Sequence, residues 1–445
     1  MNVSRAIIVL FMSALAACGD GGSLVNGPVA GSLGAQPAIE ALLREEVSYH
    51  GMTGDPAAVR GLRSVRPDSN KLVKLGQVLF FSHSLSGSFD VACATCHLPQ
   101  LGGSDALSLS VGVVPEDRAV VGAGRRVDVV RDQDPQADGG PNMHRNSIST
   151  FNAALFDRVL MYDGRIRVAD SETRPGGKGQ LVLTTESGAG GDLSGVNGLL
   201  EAVAKFPITN ENEMRGFLYA DISHPDDFRG HLIDRLKGNV DQEYLNEDAS
   251  GKWLSLFREG FGQPDATPDD VVTLLNLQRA IAAYIESQIF VDTPWRAWMN
   301  GDSHALTDSA KKGALLFLRG KAEGGLGCAA CHKGDRFTNE SFYNVGFPQL
   351  GRGFQQTDGS DRGRWMVTRE ENDRYAHRVP SLLNVSETAP YGHAGAFQSL
   401  RDLLRYHVNP LKGVEEYDFT LSSLTQFKYL GLSYPDSETL TRKTL

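Results

Sequence analysis

The sequence predicts a mainly α-helical protein with many long loops, on three observations. Apolar residues recur at helical spacing in the clearest periodic segments, few stretches alternate as strands do, and Gly- and Asp-rich runs separate the periodic pieces. A chain of 445 residues can hold two or three domains, each with its own core. The content of 41% hydrophobic and 22% charged residues is ordinary for a soluble globular protein, and a net charge of −10 argues against nucleic acid as a partner.

Residues 1–17 read as an export signal: Arg5, an apolar run from Ala6 to Leu15, small residues, then Cys18. The run is too short to span a bilayer. The ending "LAAC" resembles a bacterial lipobox, which implies cleavage before Cys18 and lipid on its thiol and new amino group. The expected location is therefore the bacterial cell envelope, facing the periplasm, with the protein anchored to a membrane through lipid and not inserted. Residues 18–40 are expected to form a flexible tether, and the stretches 122–141 and 172–198 surface loops.

Three helices stand out further along. "TPDDVVTLLNLQRAIAAYIESQIF" offers Thr267 as N-cap and Pro268 in the first turn, with Leu274, Leu277, Ile281, Tyr284 and Ile285 on one face. "TDSAKKGALLFLRG" gives a second helix ending at Gly320. A third starts at Ser399, with Asp402 three residues on and Pro410 as its stop.

The chain carries two copies of one motif, "CATCH" at Cys93, Cys96 and His97, before these helices, and "CAACH" at Cys328, Cys331 and His332, between the second and third. A dithiol redox pair needs only the cysteines, usually within a βαβ pattern that is not evident here. A zinc site would not need the adjoining histidines. Covalent haem attachment uses all three residues: one helical turn spaces the thiols for thioethers, and the next side chain is an axial ligand. The sequence has five cysteines, so with Cys18 lipidated and four in the motifs none remains for a disulfide. Two covalently bound c-type haems are expected.

Six segments carry a wider resemblance: "LGQVLFFSHSLSG", "CATCHLPQLGGSDALSLSVG", "RNSISTFNAALFDRVLMYDGR", "FPITNENEMRG", "CAACHKGDRFTNESFYNVG" and "RVPSLLNVSETAPYGHAG". In this order and spacing the chain resembles the bacterial di-haem cytochrome c peroxidase family, which includes MauG, from about residue 70 to 415. The resemblance implies two cytochrome c-like haem domains with their haems facing across the domain interface. Peroxide reacts at the first haem and the second passes electrons. On this basis residues 41–291 are expected to form the N-terminal peroxidatic haem domain and 292–413 the C-terminal electron-transfer domain. The tail, 414–445, is expected to pack back on the N-terminal domain.

The departures from the family pattern are informative. In the peroxidases a histidine sixteen residues after the first haem ligand closes the resting iron; counting from His97 reaches Val113, which cannot ligate. That leaves the first haem open, as in the MauG branch, with His144 or Met143 as the alternative ligand. Fourteen residues after His393 the count lands on His407, where the peroxidases carry methionine and MauG tyrosine. His407 follows Leu403 by four and Leu400 by seven on its helix and so faces the core; with the resemblance placing an axial ligand at this position, bis-histidine ligation by His332 and His407 is expected.

Glu213 matches the family's distal glutamate and Pro207 the proline that shapes the pocket, whereas the distal glutamine falls at Val203. The tryptophan between the haems is Tyr162 in "MYDGR". The family's calcium ion maps to Asn146, Thr388 and Pro390, so one Ca2+ is expected.

The expected function is reduction of hydrogen peroxide to water at the His97 haem. Glu213 would serve as acid/base, with electrons from a small c-type cytochrome or copper protein entering through the second haem. The alternatives are a MauG-like oxidase that uses peroxide to modify a protein substrate, and a non-catalytic di-haem electron carrier.

Overall fold

The computed structural model describes residues 36–445 apart from 136, 171, 173, 186–190, 220, 223, 242–251 and 355–357. The export signal, Cys18 and most of the tether lie outside the described residues. Among the described residues no helix is long and apolar enough to cross a membrane.

The fold is largely helical, with strands of two or three residues. Helix α1 (Gln36–Tyr49) begins inside the expected tether. Ile39, Leu43 and Val47 recur at four-residue spacing and are all buried, which explains why this segment is ordered. They pack with Trp295, Trp298, Leu315 and Phe337. Residues 41–49, expected with the first haem domain, thus pack on the segment that carries the second motif. Polar contacts add to this: Glu40 accepts from Trp298 Nε1 at 2.9 Å and pairs with Lys311 at 2.8 Å, and Glu46 pairs with Arg319 at 2.6 Å.

A second, larger core surrounds α2 (Lys71–Phe81), α3 (Trp253–Phe261) and α4 (Leu274–Glu286). Gly76 lets α2 and α4 touch backbone to backbone, since a Cβ there would lie 1.9 Å from the Ala280 carbonyl oxygen. Thr267 does cap a helical turn, but that turn runs only from Pro268 to Val271. At the β-branched run Val271–Val272–Thr273 the chain breaks, and Thr273 caps α4 afresh through Asn276 N. The predicted single helix is therefore two.

Helix α5 (Asp308–Leu318) has Thr307 as its N-cap and ends at Leu318, because Arg319 is already extended. Helix α6 (Leu400–Val408) is capped by Ser399 on Asp402 N. Pro410 follows it and occupies the first turn of the next helix, where a missing N–H costs nothing. A third core joins α6 to the tail: Tyr391, Phe397 and Tyr406 pack with Leu424, Phe427 and Leu109. Gln426 brackets Leu109, accepting from its N–H at 3.0 Å and donating to its carbonyl at 2.8 Å.

Strands β1 (Val159–Leu160), β2 (Ile166–Val168) and β3 (Val182–Leu183) form an antiparallel meander with Leu160 opposite Ile166 and Val168 opposite Val182. Strands β4 (Phe342–Tyr343) and β5 (His377–Arg378) form a separate antiparallel pair.

Candidate active site

Each CxxCH unit coils into one helical turn, Cys93–Cys96 and Cys328–Ala330, and all four thiols are free. Burial pushes Cys93 up to about 12, with the Glu213 charge adding, and Cys328 up to about 11.

The imidazoles that follow are oriented alike. His97 donates from Nδ1 to the Ser147 hydroxyl at 3.1 Å, with the Gly103 carbonyl at 3.3 Å, and His332 donates from Nδ1 to the Phe337 carbonyl at 3.0 Å. Ser147 in turn donates to the Cys96 carbonyl at 2.5 Å. A donor bond at Nδ1 leaves the lone pair on Nε2, the tautomer an axial ligand needs. Burial lowers both imidazoles, His332 to about 4, so the lone pair is unprotonated at neutral pH.

Cys328, Cys331, His332 and His407 line one cavity of about 280 Å³. Leu400, Leu403 and Leu404 of α6 line it too, so His407 shares their face. Burial lowers the His407 pKa, and its Nδ1 is buried without a hydrogen-bond partner. Thiols, imidazoles and apolar walls suit a covalently held haem with two nitrogen ligands.

At the first motif, Glu213 lies in a π-helical turn, Glu211–Arg215, capped by Asn210, whose side chain accepts from Asn212 N and Glu213 N at 3.0 Å each. Such turns recur at functional sites. Burial pushes the Glu213 carboxyl up to about 7, only partly offset by Arg165, and its charge raises the pKa of both Cys93 and Cys96. Pro207 opens the short helix Pro207–Thr209 that leads into Asn210. Val203 packs against the large core. Val113 is fully buried, and its amide donates to the Asn212 carbonyl at 3.2 Å. His144 packs on Phe354, and burial together with Arg352 and Arg145 lowers it to about 4. The Met143 amide is taken by the Ser110 carbonyl at 3.2 Å.

Tyr162 lines the same cavity as His332 and His407, beside His377 and Arg378. Its segment is held by arginines from far along the chain. Arg378 donates from its amide to the Tyr162 carbonyl at 2.8 Å and from Nε to Met161 at 3.1 Å, and Arg364 Nη1 reaches the Asp163 and Gly164 carbonyls at 2.9 and 3.1 Å. Glu340, whose side chain is fully buried, accepts from three successive amides, Asp157, Arg158 and Val159, at 3.0, 2.8 and 3.1 Å. Glu340 lies eight residues after His332, so it ties the second motif's loop to β1 and hence to Tyr162.

Asp361, His377 and His393 bring ligand-type atoms within 4.8 Å of one another. Their geometry opposes a metal. The two imidazoles are stacked at 4.2 Å and 16°, so their in-plane lone pairs do not converge, and Arg145 already occupies both Asp361 oxygens at 2.6 and 2.8 Å. The group is a buried charge network, completed by Arg145 on Asp163 at 2.8 Å.

Asn146, Thr388 and Pro390 also line this cavity. Asn146 donates from Nδ2 to Leu107 O at 2.7 Å, which leaves the amide oxygen to face a hard cation, so the donor type fits calcium. Ser147, Arg145, Asp361, His377, Arg378 and Glu340 were not singled out in the sequence. Their partners lie far away in the chain, and only His393 had a signal, in "PYGHAG".

A sequence model of the family described as "Di-haem cytochrome c peroxidase" matches residues 70–304. Methylamine utilization protein MauG of Methylorubrum extorquens is 28% identical over 348 residues, covering 77% of this chain and 71% of that protein. Cytochrome c551 peroxidase of Pseudomonas aeruginosa is 27% identical over 350 residues, covering 78% and 74%. Cytochrome c peroxidase Ccp of Escherichia coli is 26% identical over 387 residues, covering 85% and 63%. Membership of a peroxidase family sets aside the reading as a non-catalytic carrier. With two haem-attachment motifs and a family match across more than half its length, the chain belongs to the di-haem cytochrome c peroxidase family and is a haem-dependent oxidoreductase of the peroxidase type.

Proposed function

We propose that the protein reduces hydrogen peroxide to water at the haem bound by Cys93, Cys96 and His97, using electrons that enter through the haem bound by Cys328, Cys331, His332 and His407. The observation that carries this is Glu213: a carboxyl brought to about 7 by burial, in electrostatic contact with both thiols of the first motif. Bound haem iron supplies the site at which the O–O bond takes up two electrons. Glu213 takes the proton from the inner peroxide oxygen and gives it to the outer one, so that water leaves. Its pKa near neutrality suits both directions of that transfer. Two electrons and two protons per peroxide balance the formation of two waters.

In this reading residues 41–291 and 292–413 carry one haem each, except that α1 packs with the second core, and the tail 414–445 braces both. Tyr162 bridges the two haem sites. Asn146, Thr388 and Pro390 hold one calcium between them, and Cys18 carries the lipid that anchors the protein in the bacterial envelope, facing the periplasm. The electron donor is a small c-type cytochrome or copper protein.

One observation favours a second reading, a MauG-like oxidation of a partner protein. Val113 is buried and its amide is engaged, so nothing from that position closes the first iron. Steady-state peroxide turnover with reduced cytochrome c, with and without candidate partner proteins, separates the two. Turnover by cytochrome c alone supports the first reading. Peroxide consumption that requires a partner protein and leaves it oxidised supports the second.

A further inference from the structure

Segment Val111–Val114 lies against the π-turn that carries Glu213. Every backbone polar group from the Val111 carbonyl to the Val114 carbonyl is bonded. Arg125 donates to Val111 O at 2.8 Å and Gly112 O at 2.7 Å. Asn142 accepts from Gly112 N at 2.9 Å and donates to Val113 O at 2.9 Å. Asp90 accepts from Val114 N at 2.8 Å, and the Asp128 amide donates to Val114 O at 2.9 Å. The remaining group, Val113 N, is the one that reaches the Asn212 carbonyl, at 3.2 Å.

Asn142 and Arg125 are 1% and 2% exposed, so water does not compete for these bonds. A stretch pinned at every group is a rigid platform, and Gly112 is its contact point. A Cβ at Gly112 would stand 2.0 Å from Asn212 O and 2.9 Å from Glu213 O. The π-turn also meets Gly87, whose amide donates to Met214 O at 2.8 Å and whose Cβ would stand 1.8 Å from Arg215 O. The carbonyls of the turn rest on two bare backbones.

We propose that Gly112 and Asn142 are positioning residues for Glu213: Asn142 clamps the peptide groups on either side of the Gly112–Val113 link, and the Val113 amide so held fixes the Asn212 carbonyl and the carboxylate that follows it. This rests on Glu213 being the acid/base of the peroxide reaction. The position where related peroxidases place a closing histidine here serves to hold the proton-transfer group instead.

Gly112→Ala tests the proposal, because its Cβ must drive the π-turn back. The floor for such contacts is 3.0 Å against the 2.0 Å available, a displacement of at least 1.0 Å. A shift of that size costs about 100-fold in the rate of the peroxide reaction. The titration of the Glu213 carboxyl, read as the infrared band that Glu213→Gln abolishes, should move from its wild-type midpoint. Haem content and the ferric spin-state spectrum should stay as in the parent. The double variant Gly112→Ala/Glu213→Gln should be no slower than Glu213→Gln alone, since a misplaced group that is already absent costs nothing more. Multiplying losses, or an unmoved carboxyl titration, would overturn the proposal. If Glu213→Gln itself leaves the rate unchanged, the acid/base reading fails instead, and the two failures are distinct. Should Gly112→Ala not load two haems, Asn142→Ser, which loosens the clamp around Gly112 and Val113 without filling space, is judged on the same readouts.

Discussion

Arg145 and Asp361 form a two-pronged ion pair, 2.6 and 2.8 Å, between residues 216 positions apart. The third arm of the guanidinium reaches Asp163 at 2.8 Å, and both carboxylates are almost fully buried. Burial alone would raise the Asp361 carboxyl, but Arg145 and then His377 more than offset it and hold it well below the usual range.

The first prediction follows from that pair. Arg145→Ala leaves the buried Asp361 carboxylate without its guanidinium, while Asp163 keeps Arg165 at 2.7 Å, and should cost about 3–5 kcal/mol, seen as a lowered thermal midpoint of the holoprotein. The pH sign is set by the depressed carboxyl. Its contribution is complete above the ordinary aspartate value of about 4 and drains as the pH falls from there toward the folded-state value. An unchanged midpoint would show the network to be dispensable.

Glu213 gives the second prediction. Its carboxyl is protonated below about 7 and ionised above it. The group must be ionised to take a proton from peroxide, so the wild-type rate should fall as the pH drops through about 7. Glu213→Gln should remove that inflection and slow the reaction by about 10²–10⁴-fold. Both haem spin states should be untouched. Stopped-flow traces across the pH range decide it, and a variant that keeps the inflection would assign the proton transfer to another group.

His407 and Val113 together predict the resting spectrum. The oxidised protein should show one high-spin and one low-spin ferric haem and react with peroxide without prior reduction. His407→Ala should convert the low-spin signal to high-spin and slow reduction by the donor. Two low-spin haems in the resting protein, silent to peroxide until reduced, would mean that a side chain other than Val113 closes the first iron.

The fourth prediction concerns Cys18, outside the described residues. Cys18→Ser should move the protein from the membrane fraction to the soluble one. Unchanged fractionation would remove the lipid anchor from the account.

Local chemistry made part of this legible in the sequence. CxxCH is set by the span of one helical turn, so three letters define it wherever it lies. His407 could be read because the family resemblance counts to it from His393 and its helix places it with Leu400 and Leu403, and Ser399 announces that helix by side-chain capping. What stayed hidden depends on distant partners. Asp361 and Asn142 are residue types usually exposed, and nothing within a few positions tells that they are buried, or that Arg145 is largely so. The π-turn at Glu211–Arg215 is one residue wider than an α-turn, a difference that periodicity does not register. The break at Val272 was missed because the apolar pattern continues across it while the backbone does not.

The packing of the segments 36–49 and 414–445 has a mechanical consequence. The early segment lies on the core around Trp298 and Leu315, and the late one reaches across to Leu109, thirteen residues past Cys96. The chain is laced like a crossed strap, each half buckled by a piece of the other. Separating the segment of the first motif from that of the second would require both straps to peel at once, so the spacing of the two motifs is braced by the weave of the chain.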